Sequence, residues 1–325
     1  MFIKPLKIPC HILKTMALDR RIPVSHPHKE FITQRASNLY SGYKGEKALE
    51  YYLNFLPEDQ FFIFHYLRLP DKYGHFQMDF LILSMYFHLI IEVKNFYDNI
   101  SFDEFGQSFR IKAEEVQVFN NPVEQVSLQH NRFVDWNRCN DFPAVPVEKV
   151  VIYSRDDIYL RNLTNNKLIT DLVMHRDKLL PKIQLFMGKH KTLRLTEKQL
   201  MEMSYKLLEQ HTPEKFLLID QLGITADQLV KGVECPECGN IPMKWSVGQW
   251  ECFYCGKVSK TAHRLALADY ALLNQKYINN RQAREFLQVN SVHSMRRLFH
   301  REKFSHVGVS SGRKYELSVE KLLDE

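Results

Sequence analysis

No stretch of the 325 residues approaches the run of about 18 apolar positions that a membrane-crossing helix needs. The first residues break their hydrophobics with Lys4, Pro5, Lys7 and Pro9, so they lack the unbroken apolar segment of a secretory leader. The sequence therefore predicts neither a membrane span nor a signal peptide, and the expected location is cytoplasmic. Cysteine is scarce too: of six, four form two C-x-x-C pairs, leaving Cys10 and Cys139 as singletons. That pattern excludes a disulfide scaffold and fits a metal site in a reducing compartment. A large excess of one charge is also missing. With 44 Lys+Arg against 38 Asp+Glu the formal net charge is +6, so where the charge lies matters more than its sum. Apolar residues at 45% and charged residues at 25% are ordinary globular composition, and the length predicts two or three domains. His65, His75 and His88 have no ligand spacing and read as sheet or loop residues.

What is present is most informative in two neighbouring runs, Gln77-Met78-Asp79-Phe80-Leu81-Ile82-Leu83 and Leu89-Ile90-Ile91-Glu92-Val93-Lys94. Each sets ionisable groups inside an apolar, β-favouring segment, where an unpaired charge costs several kcal/mol. Strands are expected over Gln60–Leu69, Phe76–Leu83 and Phe87–Lys94, forming an antiparallel meander. If the second connection is centred between Met85 and Tyr86, Asp79 and Glu92 face one another, and Lys94 shares their face because residues two apart in a strand do. Met85-Tyr86 lacks the Gly or Asn of a tight hairpin. Upstream, Leu49, Leu53 and Leu56 recur at helical steps between Gly42 and Pro57, which places Glu46 along the core-facing stripe. An exposed ion pair of Glu46 with Lys44 or Lys47 is the alternative. Farther upstream the chain reads as an arm in which Arg20 and Arg21 either are solvated or touch nucleic acid.

These residues suit metal-assisted phosphodiester cleavage, which needs a divalent cation to activate water and neutralise developing charge. Asp79 and Glu92 would hold Mg²⁺ or Mn²⁺, with the Val93 carbonyl as a further ligand. Lys94 would position the attacking water or steady the phosphate, and Glu46 would reach the same pocket. The plain alternative is a structural Glu–Lys pair at a sheet edge.

Gly45-Glu46 in a helix, Asp79 in a hydrophobic strand and Ile91-Glu92-Val93-Lys94-Asn95 together resemble the nuclease-related (NERD) domain of the PD-(D/E)XK nuclease superfamily. Asn99–Phe102 and Gln107–Lys112 look like that domain's next hairpin, and Asn121-Pro122-Val123-Glu124-Gln125 like its following helix start. The resemblance covers roughly residues 40 to 155. It implies an α/β fold with a mixed sheet flanked by helices, and a catalytic set of Glu46, Asp79, Glu92 and Lys94 with Gln125 as the helix glutamine. Met78 stands where the superfamily pattern has proline.

Asn121 and Pro122 suit the N-cap and first turn of a helix to about Arg138, on which Gln125, Gln129 and Arg132 form one polar ridge. Val145–Tyr153 reads as the final strand, and Asp156-Asp157 as a solvated loop. Helices without chemistry are expected from Asn162 to Lys231, one opened by a capping box at Thr196–Gln199.

Cys235-Pro236-Glu237-Cys238 and Cys252-Phe253-Tyr254-Cys255, each followed by glycine, have the spacing of a zinc ribbon in which four thiolates close the coordination shell of a structural Zn²⁺. Trp245 and Trp250 would pack over that site or stack on bases. Beyond it, helices are expected over Thr261–Gln275 and Arg281–Leu287. A third, capped by Ser291, would bury Val292, Met295, Leu298 and Phe299 and expose His293, Arg296, Arg297 and His300. Gly308, Ser310-Ser311-Gly312-Arg313 and Lys314–Leu317 would follow as a Gly-containing hairpin. The whole resembles a helix-turn-helix with a small wing. Between Lys257 and Lys314 stand twelve Lys/Arg against three Asp/Glu, a local excess larger than that of the whole chain. That is the electrostatic footprint of phosphate binding, with Arg296, Arg297, Arg301, Arg313 and Lys314 as the candidate contacts. A solvated basic surface or a protein-partner face is the alternative.

The predicted organisation is an N-terminal arm (1–39), a nuclease-related domain (40–195), a helical connector (196–231), a zinc ribbon (232–258) and a winged-helix-like segment (259–325). The expected function is Mg²⁺-dependent hydrolysis of phosphodiester bonds in DNA, with nucleic acid as partner and no membrane. The alternative is a non-catalytic nucleic-acid-binding or regulatory protein that uses the nuclease fold as a scaffold. RNA stays open as a substrate.

Overall fold

The structure is a computed structural model that describes residues 1–112, 114–309 and 312–323. Ser310 and Ser311 of the expected wing, and the last two positions of the chain, lie outside the described residues. The chain divides into two compact units, one of Met1–Pro9 with Asn38–Glu214, the other of Cys10–Ser37 with Lys215–Glu325.

The first unit is built on a six-stranded mixed sheet in the order β1-β2-β3-β4-β8-β10. Its strands are β1 (Phe2–Lys4), β2 (Phe62–Asp71), β3 (Gly74–Leu83), β4 (His88–Lys94), β8 (Val147–Tyr153) and β10 (Val173–His175). The meander β2–β3–β4 is antiparallel, whereas β1, β8 and β10 each pair parallel to their neighbours. Helices cover both faces. On one, Val126, Phe133 and Trp136 of helix Pro122–Cys139 and Leu200, Met203 and Leu207 of helix Glu197–Gln210 pack with Leu67, Leu81 and Ile90. On the other, Leu49, Leu53 and the Leu179, Ile183 and Phe186 of helix Leu179–Lys189 pack with Ile63, Phe80 and Ile91. A sheet covered on both sides explains why β4 is buried at every position but Lys94 and why the carboxylate of Glu92 stands out in it. A second sheet, β7-β6-β5-β9, joins β5 (Ile100–Phe102), β6 (Ser108–Lys112), β7 (Glu115–Phe119) and β9 (Leu160–Asn162).

The β3–β4 connection is centred between Met85 and Tyr86, as its register Leu83↔His88 requires. It closes without glycine because buried Ser84 does the work of a turn residue. The Ser84 hydroxyl donates to the Phe87 carbonyl at 2.7 Å and accepts from the Phe87 N–H at 3.1 Å, a side-chain substitute for backbone turn bonds. The run Gly42–Leu56 is two helices rather than one: Lys29–Lys47, then Glu50–Leu53 after a break.

In the second unit, strands β11 (Lys244–Ser246), β12 (Gln249–Glu251) and β13 (Val258–Ser259) form an antiparallel sheet around the cysteines. Helices His263–Leu273, Asn280–Leu287 and Val292–Arg301 follow, with a small sheet in the order β14-β16-β15 made by β14 (Tyr277–Asn279), β15 (His306–Val307) and β16 (Lys314–Glu316). Ser291 caps the last helix by accepting from the Ser294 N–H, and Met295, Leu298 and Phe299 are buried on it. Val292 is more exposed than its place on the apolar stripe predicts, at 38%. Helix Cys10–Arg21 belongs to this unit. Arg21 is fully buried, donating to Asp269 at 2.8 Å and to the Gly232 carbonyl at 2.7 Å, and Arg20 also donates to Asp269. Arg21 is therefore no solvated surface group, and partly exposed Arg20 is held by the same buried carboxylate on helix His263–Leu273.

Candidate functional site

The pairing Phe80↔Ile91 is the last bonded pair of β3 and β4, and it sets Asp79 opposite Glu92. At that point the ladder is replaced by a side chain, since the Val93 N–H donates to Asp79 Oδ2 at 2.8 Å. The alternation of faces also slips here. Phe64 and Leu67 on β2, and Leu81 and Met78 on β3, share one core although each pair is three residues apart. Tyr66, between the flanking pairs His65↔Phe80 and Leu67↔Met78, has φ of 51°, a conformation costly for a bulky residue. This paired irregularity takes Asp79 out of the regular pleat.

Glu92 is 2% exposed, so both its oxygens need donors. Lys94 Nζ donates to Oε1 at 2.6 Å and Gln129 Nε2 to Oε2 at 2.7 Å. Lys94 also donates to Gln125 Oε1 at 2.9 Å. Gln125 and Gln129, one turn apart on helix Pro122–Cys139, therefore face the sheet and fix the Glu92–Lys94 pair from above. Arg132, next on that ridge, donates to Asp71 from Nε and Nη2. Lys94 thus bridges Glu92 and Gln125, so the helix glutamine faces the sheet rather than solvent.

Glu46 arrives on helix Lys29–Lys47. Gly45 is what lets the helix come close: a Cβ there would lie 2.6 Å from Asn95 Cβ and 3.0 Å from Ser154 Oγ. Asn95 fastens the contact by donating to the Ser41 carbonyl at 2.7 Å and accepting from Ser154 Oγ at 2.9 Å. Glu46 pairs with neither Lys44 nor Lys47; its Oε2 meets His65 Nε2 at 2.5 Å. Lys4, on β1, points its ammonium to the carbonyls of His65 and Tyr66 at 2.6 and 3.1 Å. Neither Lys4 nor the role of His65 is signalled by the sequence. His65 has no ligand spacing, and Lys4 reaches the site only because a terminal strand pairs with β2 from 61 residues away.

Burial and mutual repulsion govern the electrostatics. Burial, then Glu92, pushes the Glu46 carboxyl up to about 8, against the pull of Lys4 and Lys94. Burial, then Glu92 and Glu46, holds Asp79 well above the usual carboxylate range. Burial brings Lys4 down to about 8, and burial with nearby Lys4 brings His65 to about 3, so the imidazole is neutral. Two carboxyl groups, Glu46 and Asp79, whose proton affinity is raised by burial and by neighbouring carboxylates are short of positive charge, which is the deficit a divalent cation makes good. The donor set therefore fits a hard cation. Among the described residues, however, the one set of three or more ligand-type side chains whose atoms all lie within 4.8 Å of one another is Cys235, Cys238, Cys252 and Cys255.

Those cysteines sit on two matching turns. The Gly239 N–H donates to the Cys235 carbonyl and the Gly256 N–H to the Cys252 carbonyl, both at 2.9 Å, with φ of 70° and 73° at the glycines. The Asn240 side chain donates to Cys238 Sγ and draws that thiol down to about 6. Four thiols so placed could hold a metal ion. Trp250 is fully buried, its Nε1 donating to His263 Nδ1 at 3.1 Å, so it packs rather than stacks on bases.

Arg296, Arg297, Arg301 and Arg313 line one groove of about 1270 Å³ with His300 and His306. Lys314 is exposed on β16 and lies apart from that lining. Arg301 is partly committed inside the protein, donating to the carbonyls of Gly248 at 3.2 Å and Lys260 at 2.8 Å. Arg281 and Arg284 of helix Asn280–Leu287 also line the groove; their three-residue spacing on one helix face is the signal for them in the sequence.

Residues 41–154 match the family model of the nuclease-related domain, NERD. The matched stretch contains Glu46, Asp79, Glu92, Lys94 and Gln125, while Lys4, the four cysteines and the basic groove lie outside it. No curated protein and no solved structure matches the chain. The first unit is accordingly a mixed α/β, nuclease-like domain that implies nucleic acid as its partner, and among the described residues no helix is long and apolar enough to cross a membrane.

Proposed function

We propose that the chain is a cytoplasmic metal-dependent nuclease that hydrolyses phosphodiester bonds in DNA. The observation that carries it is the Lys94 ammonium held 2.6 Å from buried Glu92, opposite Asp79, inside a stretch that matches a nuclease-related domain. Asp79 and Glu92 are the ligands for Mg²⁺ or Mn²⁺, with the carbonyl of Val93, between Glu92 and Lys94 in sequence, as a further ligand. When bound, that ion supplies water activation and charge neutralisation. Lys94, oriented by Gln125, presents its ammonium to the phosphate that carries the developing charge. Glu46 completes the acidic set, and its contact with His65 keeps it aimed at the pocket. Gln129 holds Glu92 in one orientation, which preorganises a ligand that would otherwise turn.

In the second unit the four cysteines hold a structural Zn²⁺ in a zinc ribbon, since four protein ligands leave no open position. The helix pair Asn280–Leu287 and Val292–Arg301 with its small sheet acts as a winged helix-turn-helix. Arg296, Arg297 and Arg313 make its main phosphate contacts, Lys314 adds charge at the edge, and Arg301 contributes both a contact and a brace to the cysteine hairpin. Incubating the zinc-loaded protein with plasmid and linear DNA in Mg²⁺ or Mn²⁺ is the direct trial. Cleavage that disappears in Asp79→Ala and Lys94→Ala supports the assignment; cleavage that persists in both removes it. Salt-sensitive DNA binding with no cleavage under either metal would instead favour the scaffold role.

A further inference from the structure

Two large aromatic side chains in the second unit face solvent at a fixed place. Phe253 is 72% and Tyr254 is 70% exposed, and they form the tip between Cys252 and Cys255, whose turn is closed by the Gly256 N–H bond to the Cys252 carbonyl. Lys244 places its ammonium 5.5 Å from the centre of the Phe253 ring. Lys244 and Trp245 begin a second groove that runs past Ser291 and Ser294 to Arg297 and Arg301. These two arginines also line the larger groove with Arg296 and Arg313. One basic path therefore extends from the β15–β16 hairpin to the exposed aromatic tip, with Arg301 also lying 5.9 Å from the Trp245 ring.

We infer that this aromatic tip is a stacking platform for unpaired bases, and that the occupant of the path is an unpaired DNA tail continuing from a duplex held at helix Val292–Arg301. Base faces inside a duplex are covered by their neighbours, so flat aromatic side chains can engage only bases outside the stack. Cations tracking a backbone toward such side chains are the arrangement that binds single strands. The inference rests on the nucleic-acid role of the basic groove. It adds a substrate class, a duplex with a single-stranded extension, and assigns Phe253 and Tyr254, which the charge pattern does not reach.

The test is fluorescence anisotropy of the full zinc-loaded chain with a blunt duplex and with the same duplex carrying an oligothymidine tail. The tailed duplex should bind about tenfold tighter, and Phe253→Ala with Tyr254→Ala should remove that gain while leaving the blunt duplex unchanged. Phe253→Tyr should keep the gain, and the zinc content of each variant shows that the ribbon is intact. Equal affinity for blunt and tailed duplexes, or an equal loss on both in the double variant, overturns the platform and leaves the duplex reading standing. Failure to bind either duplex overturns both. A protein partner at the tip would appear as tail-independent affinity, and so counts against the platform.

Discussion

The two candidate sites, one in each unit, handle charge in opposite ways. In the first, the ionisable groups of the candidate site face one another: Lys94 answers Glu92, His65 answers Glu46, and the Val93 N–H answers Asp79. In the second, Arg296, Arg297 and Arg313 face outward along a groove. The inward arrangement suits a small, hard cation and a single reacting phosphate, where orientation decides the rate. The outward one suits a long polyanion, where the number of charges decides the affinity. The supports differ as well, since the first unit rests on a large two-faced core, whereas the second adds four closely placed thiols to a core that Met243 and Trp250 share with Leu267 and Phe299.

Removing zinc should break the comparison most severely. For zinc-finger peptides the metal contributes about 10–16 kcal/mol at neutral pH, so a chelator or Cys252→Ser should abolish exchange protection across residues 232–262 and weaken duplex binding. Protection in β2, β3 and β4 should be unchanged; parallel loss there would show that the two supports are not separate. Next in size, Met295→Ala on the fully buried stripe of helix Val292–Arg301 should cost about 2–5 kcal/mol in denaturant unfolding. Arg297→Ala, on the exposed face, should leave stability within about 0.5 kcal/mol and reduce the salt dependence of DNA binding by about one unit of slope. In the first unit, Gly45→Val should cost about 1–3 kcal/mol, because the added Cβ meets Asn95 at 2.6 Å, and should impair cleavage without lowering DNA affinity.

The smallest effect concerns pH. The Arg132 guanidinium beside Asp71 holds that carboxyl below its ordinary value. Its stabilisation is therefore present above the unfolded carboxyl pKa and is lost as pH falls through the folded one. Asp71→Asn should lower stability by about 1 kcal/mol at neutral pH, with the difference from wild type vanishing in acid. A constant difference across that range would assign the contact to packing of Arg132 over Phe76 instead.

What was legible in the sequence followed the distance over which each interaction acts. The C-x-x-C spacing, the Ser291 cap and the buried stripe Met295, Leu298, Phe299 are local and could be read directly. The β3–β4 register follows once the connection is centred between Met85 and Tyr86, although the Ser84 hydroxyl that closes the turn without glycine carries no signal in the sequence. Lys4, His65 and Arg21 escaped because their partners lie in distant parts of the chain: Lys4 depends on a parallel edge strand, and Arg21 on Asp269. The face slip at Tyr66 was invisible for another reason. Regular alternation is the premise of strand reading, and a paired irregularity in two strands leaves their register unchanged.

The central claim is that the inward-facing charges form a divalent-metal site. Titrating Mn²⁺ calorimetrically into the zinc-saturated full chain, and into Asp79→Asn treated identically, tests it most directly. Saturable binding to one site in the wild type that is lost in Asp79→Asn is the predicted result. Equal binding by the two proteins, or none by the wild type, would contradict it.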